Sequence, residues 1–405
     1  VDAGQAFLMD SISYDIPDSN VMRIVLNSQN YSLLHKNESF SAEKLIDERD
    51  RIAQLLNDSG YYKFSINNIS FVLDTTTKEF FSNSMNPFEN ILNVFNAAKK
   101  RVNPTLDITV NIREGEDSLA FKQYRINNIF IYPDYSIDAP LIDSTLTMKQ
   151  LKSFTLLYHR DLFKPRVLAH SLSFKKGDLY SLAKYNNTIA KLNSLGEWKF
   201  VTVQFREAGD STSALNAYLY LVPNKKQSVG VGVEVTSNEY SLGTSSLGSA
   251  LNITYQNKNV NRAANVLTVT LKGGIESSDT SHKIFLQARD FSGQVNLSFP
   301  RFITPWKVRD FSKFSNAKTD LNLGFDYIDR IDLFRFQNYY GSYGYQWNET
   351  PRKSWIINPF VLGYNKYSNF SPAFQAELDS SEYLRNSFQS VFLEGENVSF
   401  IYNNQ

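Results

Sequence analysis

The chain has 405 residues, with 42 Lys and Arg against 41 Asp and Glu, so no net field draws it as a whole to nucleic acid or to an anionic surface. It has no Cys, which excludes a disulfide framework, thiolate metal sites and cysteine nucleophiles. The 30 Phe and 23 Tyr against 4 Met suit half-buried strands or interfacial aromatic belts better than helical bundles. No apolar run approaches the ~18 residues of a spanning helix, which excludes helical membrane proteins but says little about barrels. Val1-Asp2-Ala3-Gly4 lacks a charged and apolar leader, so an export signal would have been removed or lie outside the sequence.

The first segment opens with a strand placing Ile12, Tyr14 and Ile16 on one face, stopped by Pro17. A helical stretch follows from Val21 to Leu34. Ser41 then reads as the N-cap of a second helix with Leu45, Ile52 and Leu56 on its apolar face. Asn57-Asp58-Ser59-Gly60 ends that helix, Gly60 being free to adopt positive φ. Tyr61 to Phe64 leads to a strand with Ile69, Phe71 and Leu73, and Leu106, Ile108, Val110 and Ile112 alternate in the next. The order is strand, helix, helix, strand, strand.

That order recurs. Tyr124, Ile126, Ile129 and Ile131 predict a strand ending at Pro133, and after a polar connection Phe163 to Leu172 predicts a short helix. Leu182, Tyr185, Ile189, Leu192 and Leu195 form an amphipathic stripe ended by Gly196. Strands follow at Val201 to Phe205 and Leu215 to Leu221, around a Gly209-Asp210 turn. The helix-end phrases Leu56 to Phe64 and Leu192 to Phe200 match, as expected of two copies of one module in series. A pair of unrelated α+β domains is the alternative. The stretch from 78 to 103 has no counterpart in the second unit. Its stripe of Phe88, Ile91, Leu92 and Phe95 suits an exposed excursion or a partner-docking helix.

Beyond Lys226 the pattern becomes long alternation, beginning with Val229, Val231, Val233 and Val235 against Gly230, Gly232 and Glu234. Similar runs stand at Leu247 to Tyr255, Leu267 to Leu271, Val295 to Phe299 and Leu321 to Tyr327, and no helix is evident until the end. One apolar face and one of Asn, Thr, Ser, Gly and Gln is what a membrane barrel with a polar lumen requires. A soluble β-sandwich alternates in the same way. Strand length and end-placed aromatics (Tyr240, Tyr255, Tyr327, Tyr339, Trp347) favour the barrel.

In this order of elements the chain resembles the BamA/TamA-type outer-membrane protein assembly factor family, in which periplasmic POTRA modules precede a sixteen-stranded barrel. Ser59-Gly60-Tyr61-Tyr62, Leu195-Gly196-Glu197-Trp198, Glu48 to Ile52 and Arg125 to Ile129 carry the likeness. Tyr132-Pro133-Asp134-Tyr135 is similar to the TamA-like lipoprotein branch of the Bacteroidota. The resemblance implies α+β POTRA modules at 1–117 (with the insertion at 78–103) and 118–226, then a transmembrane antiparallel barrel at 227–405. At ~10 residues per strand plus turns, that last stretch holds seven or eight strands, the N-terminal half of a barrel; a closed eight-stranded barrel is the alternative. The family's Val-Arg-Gly-Phe-type lumenal motif is absent.

No catalytic pattern emerges. His35, His159, His170 and His282 lack ligand spacing, and no nucleophile elbow or phosphate loop is present. Asp326, Asp329 and Asp332 suit a solvated loop better than a cation site. A non-enzymatic protein without cofactors is expected, acting at the seam strand Ser228, Val229, Gly230, Val231, Gly232, Val233, Glu234 and Val235. There an unfolded client strand would add by backbone hydrogen bonds. Gly230 and Gly232 would either loosen the seam or relieve crowding in the lumen. The resemblance implies outer-membrane clients, partners docking on the modules, outer-membrane lipid, no nucleic acid, and a bacterial outer-membrane location with the modules in the periplasm. A two-partner secretion transporter, exporting a partner polypeptide, is the alternative.

Overall fold

The computed structural model describes residues 7–74, 105–115, 119–137, 145–209, 213–240, 244–280, 283–304, 315–350 and 352–404. The insertion expected at 78–103 lies outside them. Among the described residues the strands form three sheets, of three, five and eight strands.

The first module runs β1 (Leu8–Asp15), α1 (Ser19–Asn27), α2 (Ala42–Asp58), β2 (Ile69–Asp74) and β3 (Thr105–Ile112). Its sheet has the order β1-β3-β2, with β1 parallel and β2 antiparallel to β3. Asp18 caps α1, accepting from the Asn20 and Val21 amides at 2.9 Å, and Ser41 caps α2, accepting from Lys44 N at 3.1 Å. The expected helix from Val21 to Leu34 stops at Asn27 and continues only as a 3-10 turn, Gln29–Tyr31. Leu106, Ile108, Val110 and Ile112 are fully buried under Ile52 and Leu56, each contributing roughly 1.5–3 kcal/mol of burial. Glu48 is fully buried beside this core. Its carboxylate accepts from Arg51 Nε and Nη2 (2.8 and 2.7 Å), from Ser32 Oγ and from the Leu33 amide (each 2.9 Å). A buried charge so fully satisfied ties α2 to the segment behind α1.

The second module repeats the plan with β4 (Arg125–Tyr132), α3 (Pro165–Ser171), α4 (Leu182–Ser194), β7 (Trp198–Glu207) and β8 (Ala214–Pro223). Strands β4 and β8 are parallel and β7 is antiparallel to β8, as in the first sheet. It differs by a hairpin, β5 (Thr147–Gln150) and β6 (Thr155–Tyr158), added to the β4 edge in the order β5-β6-β4-β8-β7. The stretch read as a polar connection therefore holds two strands. Within the two strands only Leu156 is buried, with Phe154 in the turn between them, so no alternation announces the hairpin.

The repeated helix-end phrase makes the joint between the modules. Gly60 has φ +105°, and Tyr124 N donates to its carbonyl at 2.8 Å. Asp58 accepts from Ser181 Oγ (3.0 Å) and Ala183 N (2.7 Å), capping α4 of the next module from outside. The Tyr62 ring sits edge-on to Tyr124 (5.7 Å), Tyr180 (4.9 Å) and Phe205 (6.1 Å), and Lys63 pairs with Glu207 at 2.8 Å. In the second module the Trp198 indole donates to Pro133 O at 3.0 Å, while a Cβ on Gly196 would meet nothing within 4 Å.

The second module meets the large sheet through another loop. Asp134, almost fully buried, accepts from the His159 and Arg160 amides (3.0 and 2.8 Å) and so shapes residues 159–164. Lys164 N donates to Arg262 O at 2.8 Å, Asn259 Nδ2 donates to Leu162 O at 2.9 Å, and Asp161 pairs with Arg262. At this joint Glu197 is buried and its Oε1 has no hydrogen-bond partner. Desolvation pushes its carboxyl up to about 8, against the opposing pull of Lys258 and Lys226. The folded chain then keeps a proton that the unfolded chain loses near the ordinary 4.5, so stability falls as pH rises from there toward 8. Glu197→Gln is expected to remove that slope. Thermal unfolding should place the variant above the parent at pH 8, with the gap closing toward pH 4.5.

Candidate functional site at the free edge of the large sheet

Eight strands, β9 (Gln227–Tyr240), β10 (Thr244–Val260), β11 (Asn265–Thr280), β12 (Lys283–Phe299), β13 (Ser315–Arg330), β14 (Phe334–Thr350), β15 (Lys353–Ser368) and β16 (Val391–Tyr402), form an antiparallel meander in chain order. Two short helices, α5 (Pro372–Ser380) and α6 (Glu382–Ser387), lie between β15 and β16.

Register gives the sheet its two faces, because residues opposite one another share a side. One row crosses all eight strands as Val231, Ile253, Leu271, Gly293, Phe325, Tyr339, Tyr364 and Phe392. The row beside it, on the other face, reads Gly232, Asn252, Lys272, Ser292, Asp326, Asn338 and Asn365 before ending at Val391. The apolar face is bare: Val231 is 68% exposed and Phe392 62%. A β-sandwich would cover that face with a second sheet, and among the described residues none does. An uncovered apolar face with a polar reverse is the barrel arrangement.

Aromatics mark the module-proximal end of the apolar face. Trp347 stacks on Trp355 at 6.2 Å, Trp355 meets Phe400 at 4.7 Å, and Phe302 meets Trp347 at 5.8 Å. The distal cluster of Phe334, Tyr367, Phe374 and Phe388 holds α5 and α6 against the ends of β14 and β15. Of the aromatics expected at strand ends, Trp347 and Tyr327 lie near them, whereas Tyr255 and Tyr339 are internal. Trp355 and Phe400 complete the belt and were not singled out by the sequence; only register aligns them with Trp347.

The sheet is open. Among the described residues strands β9 and β16 each pair on one side and not with each other, so these eight strands do not form the closed barrel of the alternative reading. Every second residue of β9 turns its N–H and C=O away from β10, leaving a ladder of backbone donors and acceptors along a free edge. All the candidate seam residues lie on this strand: Val229, Val231, Val233 and Val235 on the apolar face, Ser228, Gly230, Gly232 and Glu234 on the polar one. The polar face is crowded elsewhere. A Cβ on Gly274 would strike the Asp290 carboxylate, and one on Gly324 the Tyr340 ring. Gly230 and Gly232 have room, with Thr254 O and Asn252 Cβ at 4.0 and 3.9 Å from their would-be Cβ atoms. Among the described residues nothing crowds them.

The other residues weighed for chemistry are dispersed. His170 Nδ1 contacts Arg166 O at 2.7 Å, His159 and His35 stand on separate loops, and His282 lies outside the described residues. Asp326 accepts from Asn338 Nδ2 (3.0 Å) and Asp329 from Arg335 Nε (3.2 Å), each within a strand rather than a loop. No group of three His, Asp or Glu with metal-holding geometry occurs among the described residues.

Leu271, central on the apolar face, gives a direct test of which side meets lipid. Leu271→Arg is expected to cost about 2–4 kcal/mol in equilibrium unfolding from lipid vesicles, and Thr270→Arg on the polar face less than about 1 kcal/mol.

No protein-family description and no curated protein matches the sequence. Among solved structures, BamA from Haemophilus ducreyi lacking POTRA domains 1–3 aligns over 91% of this chain and 73% of its own, at 11% identity and TM-score 0.40. CdiB from Escherichia coli aligns over 98% of this chain and 65% of its own, at 12% identity and TM-score 0.29. The POTRA3–5 segment of BamA from Haemophilus influenzae covers 53% of this chain and 61% of its own, at 14% identity and TM-score 0.31. At such values these neighbours carry no argument about activity; the architecture of two POTRA-type modules ahead of a partial antiparallel β-barrel stands on the chain's own strand order and register.

Proposed function

We propose that this chain assembles and inserts β-barrel proteins in the bacterial outer membrane, with its modules in the periplasm. The observation that carries the reading is the outer edge of β9, a strand that borders an uncovered apolar face and, among the described residues, pairs on one side only. Exposed edges are ordinarily blunted by charge, proline or bulges. From Ser228 to Val235 β9 has no proline and one charge, Glu234, which is turned to the polar face, and its pairing with β10 is unbroken by a bulge. An incoming strand would gain backbone hydrogen bonds that lipid cannot supply, and each strand added would present the next edge. Burial of the client's apolar face supplies the driving force, so no catalytic residue, cofactor or nucleotide is required. The modules would hold unfolded clients, or periplasm-spanning and lipoprotein partners, on their own sheet edges. The finer placement in the TamA-like lipoprotein branch of the Bacteroidota draws its support from Tyr132-Pro133-Asp134-Tyr135.

Two measurements test this reading. Because the chain has no Cys, Val229→Cys introduces a single thiol at the edge. It is expected to form a disulfide with a Cys placed in a terminal strand of a stalled client barrel. Depletion of the protein is expected to lower several outer-membrane barrel proteins together. Loss of one secreted polypeptide with the barrels unchanged would establish export of a partner instead.

A further inference from the structure

The run Val229-Gly230-Val231-Gly232-Val233 repeats every two residues. A slip of β9 by two positions against β10 sets valine where valine stood and glycine where glycine stood. It also keeps each face as it was, since the side-chain period is two. Packing along this stretch therefore specifies which face is which, but specifies the register only weakly. Glu234 breaks the repeat.

Glu234 lies opposite Ala250, which in turn lies opposite Gly274, so the polar face is low beside it. Its carboxylate reaches across β10, accepting from Asn252 Nδ2 on that strand and from Lys272 Nζ on β11 at 2.7 Å. Among the described side chains of β9, Glu234 alone hydrogen-bonds to the rest of the sheet through an ionised group, and it engages two strands at once. After a two-residue slip its place would be taken by Gly232 or Thr236, neither of which spans that distance.

We propose that Glu234 is the register pin of β9: a positioning residue that selects one alignment of an otherwise degenerate edge strand by bonding across β10 to Lys272. The purpose given to the pin, presenting a defined edge to a client, rests on the proposed function; the pin itself does not.

Disulfide trapping in the full chain reads register directly, against a background free of native Cys. Val231→Cys with Ile253→Cys reports the observed alignment. Val231→Cys with Leu251→Cys, or with Tyr255→Cys, reports a slip of two in either direction. Val295→Cys with Leu323→Cys, on β12 and β13, checks that the sheet has folded. In the parent the in-register pair is expected to dominate. Adding Glu234→Ala is expected to lower the ratio of in-register to slipped product by roughly threefold, in keeping with the loss of a solvent-exposed ion pair and its accompanying hydrogen bond. An unchanged ratio with the control intact overturns the pin, as does loss of both products with the control intact, which would mean detachment. If Glu234→Ala abolishes the control, Lys272→Met decides by the same ratio, since it removes the far end of the pin. Client depletion plays no part in this readout, so failure of the pin and failure of the assembly reading are separable.

Discussion

In an apolar medium a strand can leave no backbone N–H or C=O without a partner, and this constraint organises the large sheet. Seven strand-to-strand interfaces meet it internally through antiparallel pairing in chain order. Among the described residues the outer margins of β9 and β16 do not, and on the proposed function the margin of β9 is the one offered to a client strand. The valine row, the polar row behind it and the aromatic belt follow from holding register closely enough that parity survives across all eight strands. Where it shifts, as between Asn358 and Val361, the strands realign and the apolar row resumes.

The modules solve a different problem. Each buries a small core under a three-strand plan, and the chain spends its polar chemistry on the joints. Asp58 caps a helix of the next module, Glu48 ties α2 to its own loop, and Asp134 shapes the loop that meets the sheet. Glu197, without a hydrogen bond on one oxygen, is the exception, and it falls where the modules give way to the barrel.

How much of this the sequence discloses depends on the range of the interaction. Helix stripes, the Ser41 cap and the Gly60 and Gly196 terminators are local patterns, so the repeated module was legible. Long alternation disclosed β9 to β13 and placed β9 at the head of the sheet, whereas β14, β15 and β16 were covered only by the count of seven or eight strands. The β5–β6 hairpin was not legible, because Thr147–Gln150 is exposed throughout and an edge strand of that kind has no period. Neither was the bond from Asp58 to Ala183, across 125 positions, nor the reach from Glu234 to Lys272, across 38. Such pairs exist only once topology and register are fixed.

The joint between the modules is built from two halves, one on each unit. The helix-end phrase, Asp58 to Lys63, is the projecting half; the receiving half is Tyr124, Tyr180, Ser181 and Glu207 of the next unit. A duplicated unit would bring its own plug and socket, so an array of this kind can lengthen or shorten by whole units without new interfaces being invented. The last unit before the barrel cannot use its plug in that way, since a different element follows it. There the 159–164 loop serves as an adaptor, fitted to the turn at 261–264. Change in array length should therefore be tolerated upstream of residue 118 and resisted at the adaptor.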